Sequence, residues 1–428
     1  MRSYFRRTFY SLEEKQFRIL WLGTLFSFLG MQMQVIARGY LAYDLTGKNS
    51  ALGGVMLAFG VPQLLLGLWG GVLADRLPKR NLLVVCQVVI AINSAWLATM
   101  IELGAVEYWM LIVAGVVQGA GFAFIGPARQ AFISDLVGRD AVGNAVVLQQ
   151  LSMNSTRVIG PSIAGAMIAI PLIGIAGVYY VTTAGFVLAT VTMLRLPKGN
   201  PRRTNRPSPL ADMVEGLRYV RSRPSILLLI LTSFSVVMIG FPYQSFLPSI
   251  SKDVYHVGAG GLGALSSVGA IGAVVATIGV ATWAGHRRAW ATQPLLALAF
   301  GASVIAFGFA SNLLVGLIVM VVVGALASAF QSLNNSLTMS YTDPDFHGRV
   351  QSISMLSWSL FGLMALPIGI VADHIGIQET LMLQGGVVLL LVASLQLLGR
   401  RESVAADRKP RIGGVLEPAA APAGGGGG

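Results

Sequence analysis

Long stretches almost free of charged residues recur along the whole chain, and they constrain the fold more than any other feature. A helix needs about 20 mostly apolar residues to cross the hydrocarbon layer of a bilayer. Twelve stretches of about that length lie near residues 17–38, 51–74, 82–101, 108–129, 142–169, 173–194, 226–249, 259–284, 290–310, 312–338, 350–372 and 377–399. The sequence therefore predicts an all-α membrane protein with twelve transmembrane helices in contact with the lipid bilayer.

The charge content supports lipid rather than water or nucleic acid as the surroundings. Only 11% of the residues are charged, whereas a soluble domain carries about 25%. The net charge of +12 could suggest a nucleic-acid partner. The basic residues, however, occur in short clusters between the apolar stretches, so we expect no nucleic-acid partner.

Lysine and arginine accumulate in cytoplasmic loops, so their distribution predicts the orientation. With the N-terminus inside, 26 of the 30 basic residues fall on cytoplasmic segments. Only Arg38, Lys48 and Lys252 fall outside, and Arg157 lies within a span. We therefore expect a multi-pass protein of the bacterial inner membrane with both termini in the cytoplasm.

A polar segment rich in Pro and Arg divides the chain into two sets of six spans. We expect an N-terminal six-helix bundle at 1–195, a cytoplasmic linker at 196–224, a C-terminal six-helix bundle at 225–400 and a disordered tail at 401–428. The linker contains an amphipathic helix near 209–223, which either lies on the inner leaflet or connects the bundles without touching lipid. Each bundle has an acidic residue, a Gly-Arg pair and then a helical proline, which indicates pseudo-symmetric halves.

The strongest local motif ends the second span and contains Gly71, Asp75, Arg76, Lys79 and Arg80. A carboxylate at the membrane edge needs a partner, which the neighbouring cations or the N-terminal end of another helix can supply. The alternative is a tight turn whose cations only fix the topology.

This motif resembles the G-x-L-A-D-R-x-G-R-K signature of the major facilitator superfamily. Pro78 stands where the family usually has Gly, and Lys79 where it usually has Arg. The resemblance implies the major facilitator fold and a role for Asp75 in latching the two halves together on the cytoplasmic side when the cavity opens outward.

A second motif lies in the fifth span, at Gly160, Pro161 and Gly165. It is similar to the G-P-x-x-G-G signature of antiporters and exporters, with Ala164 replacing the first of the final glycines. A proline inside a helix removes a hydrogen-bond donor and bends the helix. The alternative is a packing kink with no bearing on the direction of transport.

The segments around both motifs resemble the drug:proton antiporter branch that includes macrolide and enterobactin-type siderophore exporters. The resemblance implies coupling to the proton gradient. One departure is Gly115, which stands where a proton-coupling arginine is often found. No Asp or Glu lies in the middle of a span, so the carboxylates to suspect are Asp75, Asp135 and Asp373, expected at the cytoplasmic edge, and Asp44 outside.

Polar residues within spans are costly in lipid and often face an aqueous path, so they predict a cavity between the halves. The candidates are Gln34, Arg38, Gln118, Arg129, Gln150, Asn154, Arg157, Gln331, Asn334 and Asn335. An aromatic wall could add Phe122, Phe241, Tyr243, Phe330 and Trp358. Hydrogen bonding between helices is the alternative for the amides. Arg157 either contacts the substrate or a counter-ion, or clamps Asp135 or a helix C-terminus. Pro242 and Pro248 break the seventh span and are candidates for an outer gate.

These features predict a monomeric secondary active exporter of small amphipathic molecules, drug-like compounds or siderophores, that works by alternating access, with proton antiport. The alternatives are an uptake symporter and a transport-inactive receptor or scaffold. The chain contains a single cysteine and no recognisable phosphate-binding loop, nucleophile elbow or metal-ligand spacing. We therefore expect neither an enzyme nor a resident cofactor or metal.

Overall fold

The computed structural model describes residues 10–138, 141–199, 209–283 and 289–401. Twelve long helices and one short linker helix make up almost all of this part. They are α1 Lys15–Thr46, α2 Asn49–Arg76, α3 Lys79–Glu102, α4 Tyr108–Leu136, α5 Val142–Ala169, α6 Gly174–Leu194, the linker helix α7 Pro209–Ser222, α8 Pro224–Val254, α9 Gly258–Trp283, α10 Ala289–Gly308, α11 Leu313–Tyr341, α12 His347–Ile375 and α13 Ile377–Arg401. Each of the twelve long helices overlaps one of the twelve predicted spans, with ends that differ by a few residues.

Eleven of the described helices are long and apolar enough to cross a membrane. The remaining long helix is α5, which has 28 residues but carries a polar run from Gln149 to Arg157. It packs against α1 in one half and α9 in the other, so it belongs to the interior of the assembly. Its polarity therefore reflects its position between the halves and does not argue against a span.

The outer surface of the bundle is apolar, as contact with lipid requires. Ile92, Ile278 and Leu390 are between 65% and 70% exposed, although all three lie within long helices. Isolated exposed apolar side chains are normal in soluble proteins, but their recurrence around the bundle matches a lipid-facing belt.

The long helices form two groups, α1–α6 and α8–α13. In the first, α1 packs on α5 and α6, α2 on α4, and α3 on α4 and α6. In the second, α9 packs on α11, and α10 on both α11 and α13. The groups meet chiefly through two pairs, α2 with α12 and α5 with α9.

The seventh span, α8, is irregular where the sequence predicts a break. Its α-helical part ends at Ser235, a π-helical turn follows over Val236–Gly240, and a 3-10 helix covers Phe241–Phe246. Pro242 and Pro248 lack the donor that a regular helix needs. The predicted interruption is confirmed, while its role as a gate stays a prediction.

The linker helix α7 is held against the C-terminal half. Glu215 pairs with Arg349 at 3.1 Å, and the ring of Tyr219 stacks on Phe346 with 4.1 Å between centroids. Burial raises the pKa of Tyr219, so its hydroxyl stays protonated and donates to Asp343 at 3.1 Å. Leucine and valine side chains on another face remain more than half exposed, so contact with the inner leaflet stays a prediction. The expected disordered tail lies outside the described residues, apart from Arg401.

Candidate transport site and gate

Charged and polar contacts join the two halves at the end of the molecule opposite the linker, which we call the clamp end. Lys252 Nζ lies 2.7 Å from Asp44 Oδ1, and both side chains are nearly half exposed. Beside them, the hydroxyl of Tyr43 donates to Asp253. Each pair links α1 of the N-terminal half to the end of α8 in the C-terminal half.

Asp373 supplies a third contact across the halves and corrects one prediction. Its carboxylate oxygens accept hydrogen bonds from the backbone N–H groups of Asn49 at 2.6 Å and Ser50 at 3.0 Å. The N-terminal end of α2, whose preceding residue Lys48 provides no side-chain cap, is therefore capped by a carboxylate from α12 of the other half. The expectation that Asp373 lies at the same membrane edge as Asp75 and Asp135 was wrong, because α12 runs away from the linker and ends beside the start of α2.

Close backbone packing supports these polar contacts. A Cβ added at Gly53 of α2 would lie 2.4 Å from the carbonyl oxygen of Ala365, and one at Gly369 of α12 would lie 2.5 Å from that of Asn49. A Cβ at Gly165 of α5 would lie 2.3 Å from the Cα of Gly263 in α9. Small residues are what allow helices to approach so closely within a membrane.

The halves are less connected at the linker end. The apolar cluster that contains Phe17 and Phe132 draws only on the N-terminal half, and the clusters around Val350 and Leu333 draw only on the C-terminal half and α7. The cluster around Phe300, nearer the clamp end, includes Tyr43 from the other half. Among the described residues, the main packing between halves therefore lies toward the clamp end, with α7 also touching α2 at the linker end.

The residues of the predicted latch are only partly described. The helical backbone of α2 extends through Gly71 and Asp75 to Arg76, which is exposed. The side chain of Asp75 lies outside the part of the molecule that the structure describes. Lys79 is fully buried and pairs with Asp135 at 2.7 Å.

Arg80 is likewise held within the N-terminal half, because its Nη1 donates to the carbonyl of Leu196 at 3.2 Å. The two described basic side chains that follow Arg76 therefore connect α3 to neighbours in their own half. The latching role of this motif stays a prediction.

The two glycines of the motif in α5 lie where this helix packs against α1 and against α9. Pro161 sits inside a continuous helix, so it does not end the span. Gly160 faces α1, where an added Cβ would lie 2.6 Å from the Cβ of Gln32, and Gly165 faces α9 of the other half. The motif thus fits α5 against both halves, and its bearing on the direction of transport stays a prediction.

Three predicted cavity residues form a hydrogen-bonded cluster inside the N-terminal half. Gln34 of α1 donates to Ser94 at 2.5 Å and to Thr182 at 2.8 Å, and it accepts from Gln118 of α4 at 2.6 Å. Arg38 donates to the side-chain oxygen of Gln118. All are at most 2% exposed, so this cluster connects α1, α3, α4 and α6.

Arg157 and Gln150 of α5 are exposed. Residues separated by seven positions share one helix face, so these two side chains lie on one stripe of α5. Around the helix this stripe falls between Gly160, which faces α1, and Gly165, which faces α9. Asn154 lies on it by position, and its side chain is not among those described.

The predicted residues of α11 do not form one group. Asn334 is buried and accepts from Gln293 Nε2 at 2.8 Å, whereas Asn335 is exposed and Gln331 is half-buried. The side chain of Trp358 is outside the described part. Phe241 and Tyr243 pack on Phe300, with ring centroids 5.4 and 6.1 Å apart.

The sequence interpretation named Arg129 and Phe122 as candidates but missed Phe28 and Phe59, which complete an aromatic cluster around Arg129. The guanidinium carbon of Arg129 lies 4.7 Å from the centroid of the Phe28 ring, and Phe28 and Phe59 both contact Phe122. Gln118 and Arg129 are eleven residues apart and share a helix face, which predicts that they lie on one side of α4 but does not indicate their partners on α1 and α2. Among the described residues, no cluster of three His, Cys, Asp or Glu side chains could hold a metal ion.

This arrangement of two six-helix groups, packed through small residues around a polar stripe, defines a transporter of the major facilitator fold. The chain belongs to the family described as transmembrane secretion effector, whose model matches residues 7–416. A similar solved structure is a bacterial homolog of the human lysosomal transporter Spinster. It has a TM-score of 0.73 at 16% identity, covering 92% of this chain and 98% of that one.

Among curated proteins, the chain is similar to macrolide efflux protein A of Streptococcus pyogenes. They are 20% identical over 384 residues, which cover 87% of this chain and 93% of the relative. It is also 24% identical to the staphyloferrin A transporter of Staphylococcus aureus over 340 residues, covering 76% and 81% of the two chains. The predicted resemblance to major facilitator exporters is confirmed.

Proposed function

We propose that this chain is a secondary active exporter that moves small amphipathic molecules by alternating access, with the linker and both termini in the cytoplasm. The observation that carries the proposal is the asymmetry between the two ends. The halves are clamped together at the end opposite the linker, while the clusters at the linker end stay within one half. In the proposed orientation the halves are less packed against each other on the cytoplasmic side, where an exporter collects its substrate, and relatives named for macrolide efflux support the outward direction.

The inner membrane is the proposed location and the monomer the proposed working unit. Relatives named for macrolide efflux and staphyloferrin A transport support drug-like or siderophore-like cargo. We also propose coupling to proton entry, because the chain resembles the drug:proton antiporter branch. Every Asp and Glu of the long helices lies near a helix end in sequence, so a proton carrier is sought first at Asp75, Asp135, Asp44 and Asp373.

The test is efflux from cells that lack their own pumps, across macrolides, siderophores and dyes. Expression of the chain should deplete a substrate from the cells, and an uncoupler should abolish the depletion. Nigericin, which collapses the proton gradient, and valinomycin with potassium, which collapses the membrane potential, separate the two driving forces. Accumulation would instead identify an uptake symporter.

Purified chain in proteoliposomes provides the matching measurement. Absence of flux for every compound, in vesicles that contain inserted chain, would favour the receptor or scaffold alternative. Labelling of a cysteine introduced in the 196–224 linker should require access to the cytoplasmic face, and labelling from outside intact cells would refute the orientation.

A further inference from the structure

Among the described residues, Arg129 is a buried cation without an anionic partner. It is 3% exposed, and its guanidinium lies over the ring of Phe28. Its Nε and Nη2 atoms are buried and make no hydrogen bond. An unpaired buried charge is destabilising, so a site retained for stability alone would favour an apolar residue at this position.

Arg129 lies beside the face of α1 that carries Phe28, and this face is only partly covered by other helices. Gln118, Phe122 and Arg129 share one stripe of α4, and Gln118 shows that this stripe faces α1. Gly30 of α1 faces α6. Phe28 is two residues earlier, so its side chain points about 200° around the helix from the direction of α6. Phe28 is half-buried, and its ring lies over the guanidinium.

The charges that lie more than one turn from the ends of the long helices are all positive. They are Arg38, Arg129 and Arg157, whereas every Asp and Glu lies at a helix end, in a loop, in the linker or in the tail. The carboxylate nearest along α4 is Asp135, and it is paired with Lys79. Because the interior is poorly solvated, these cations attract anions more strongly than the same charges would in water.

We propose that Arg129 binds an anionic group of the cargo, such as a carboxylate or a catecholate, and that the exporter therefore selects amphipathic anions over amphipathic cations. This proposal rests on the proposed function, since it assigns the substrate class of the same transporter. An anion that displaces the Phe28 ring exchanges a cation–π contact for charge-assisted hydrogen bonds to Nε and Nη2, which are stronger. A cationic cargo meets like charge at Arg129.

The experiment compares two dyes built on the same xanthene ring system, fluorescein, which is an anion at neutral pH, and tetramethylrhodamine methyl ester, which is a cation. Binding to the purified full-length chain in detergent is measured by fluorescence polarisation. Fluorescein should bind at least tenfold more tightly than the rhodamine ester. Arg129→Gln should weaken fluorescein binding by about ten- to a hundredfold, as expected for hydrogen bonds to a charged group. Arg129→Lys should recover part of that loss, and Arg221→Gln, on the exposed surface of α7, should bind as the wild type does.

Fluorescein that fails to bind, that binds no better than the rhodamine ester, or that binds Arg129→Gln as tightly as the wild type would overturn the proposal. Equal weakening by Lys and Gln would also overturn it, because the effect would then come from altered packing rather than charge. Binding is measured without transport, so absence of efflux would count against the proposed function and leave the anion site standing.

Discussion

Removing one charge at the clamp end should shift the conformational equilibrium of the whole transporter. In Asp373→Asn, the acceptor of the two N–H groups at the start of α2 loses its charge. Hydrogen bonds to a charged group contribute about 1.5–3 kcal/mol each and neutral ones about 1 kcal/mol. Asn retains one acceptor oxygen, and Asp373 is exposed, so solvent screening reduces the difference. The free energy that favours the clamped state over the open state should therefore fall by about 1–2 kcal/mol. This corresponds to roughly a five- to thirtyfold change in the ratio of the two states.

The measurement is the distance between spin labels at Leu103 and Phe309, which are both 68% exposed and follow α3 and α10 at the clamp end of opposite halves. Cys86 is first replaced by Ser so that the labels are specific. The ratio of long to short distances should rise in Asp373→Asn by about the calculated factor. Glu107→Gln is the control, because Glu107 lies at the same end and accepts from Trp109 within its own half. A distance distribution identical to that of the wild type would refute the reasoning that Asp373 holds the clamp closed.

Three further predictions concern transport. Asp75→Asn should abolish export while leaving the amount of chain in the membrane fraction unchanged, and full export would remove Asp75 from the latch. Gly165→Leu should reduce export at least tenfold, because even a Cβ there would lie 2.3 Å from the Cα of Gly263; Gly67→Leu, where no heavy atom lies within 4 Å of an added Cβ, should transport normally. Arg157→Ala should reduce export more than Arg157→Lys, measured as initial rates in proteoliposomes, and equal rates would argue against a role for the charge.

The helices could be predicted because hydropathy dominates the choice of structure in a bilayer. The twelve predicted spans and the observed helices agree closely, and the main difference is that several helices extend further. The helix α1 continues past Arg38 to Thr46, because Arg38 finds an acceptor on Gln118 inside the bundle. A positive charge within a helix therefore does not mark its end when a neighbouring helix supplies a partner.

The location of polar residues within the bundles could not be predicted from the same rule. Gln34 and Gln118 avoid lipid as expected, but they do so by bonding to each other inside one half. Arg157 lies on a stripe of α5 between the contact of this helix with α1 and its contact with α9. The cost of desolvation keeps polar residues away from lipid whether they bond inside one half or line a cavity between the halves. A single sequence therefore cannot distinguish a buried cluster from a cavity wall.

The clamp was missed for a different reason, since it joins residues that are remote in sequence. Asp44 and Lys252 are 208 positions apart, and Asp373 lies 324 positions from Asn49. The alternating direction of the twelve spans nevertheless predicts that Asp373 lies on the same side of the membrane as Asp44. The location of Asp373 could therefore have been predicted from topology alone. The partner of each carboxylate required the folded chain.

An anionic cargo would also explain how export can be driven by a protein whose spans carry no central carboxylate. In the proposed orientation an anion moves toward the positive side of an energised membrane, and each charge gains about 2.3 kcal/mol per 100 mV. For a dianion this is about 4.6 kcal/mol, enough for a gradient of roughly a thousandfold or more. Entry of a proton in exchange moves positive charge inward and adds to the same driving force. The need to hold an anion would then explain why the charges away from the helix ends are positive. Any proton carrier can lie at the gates, where the carboxylates are.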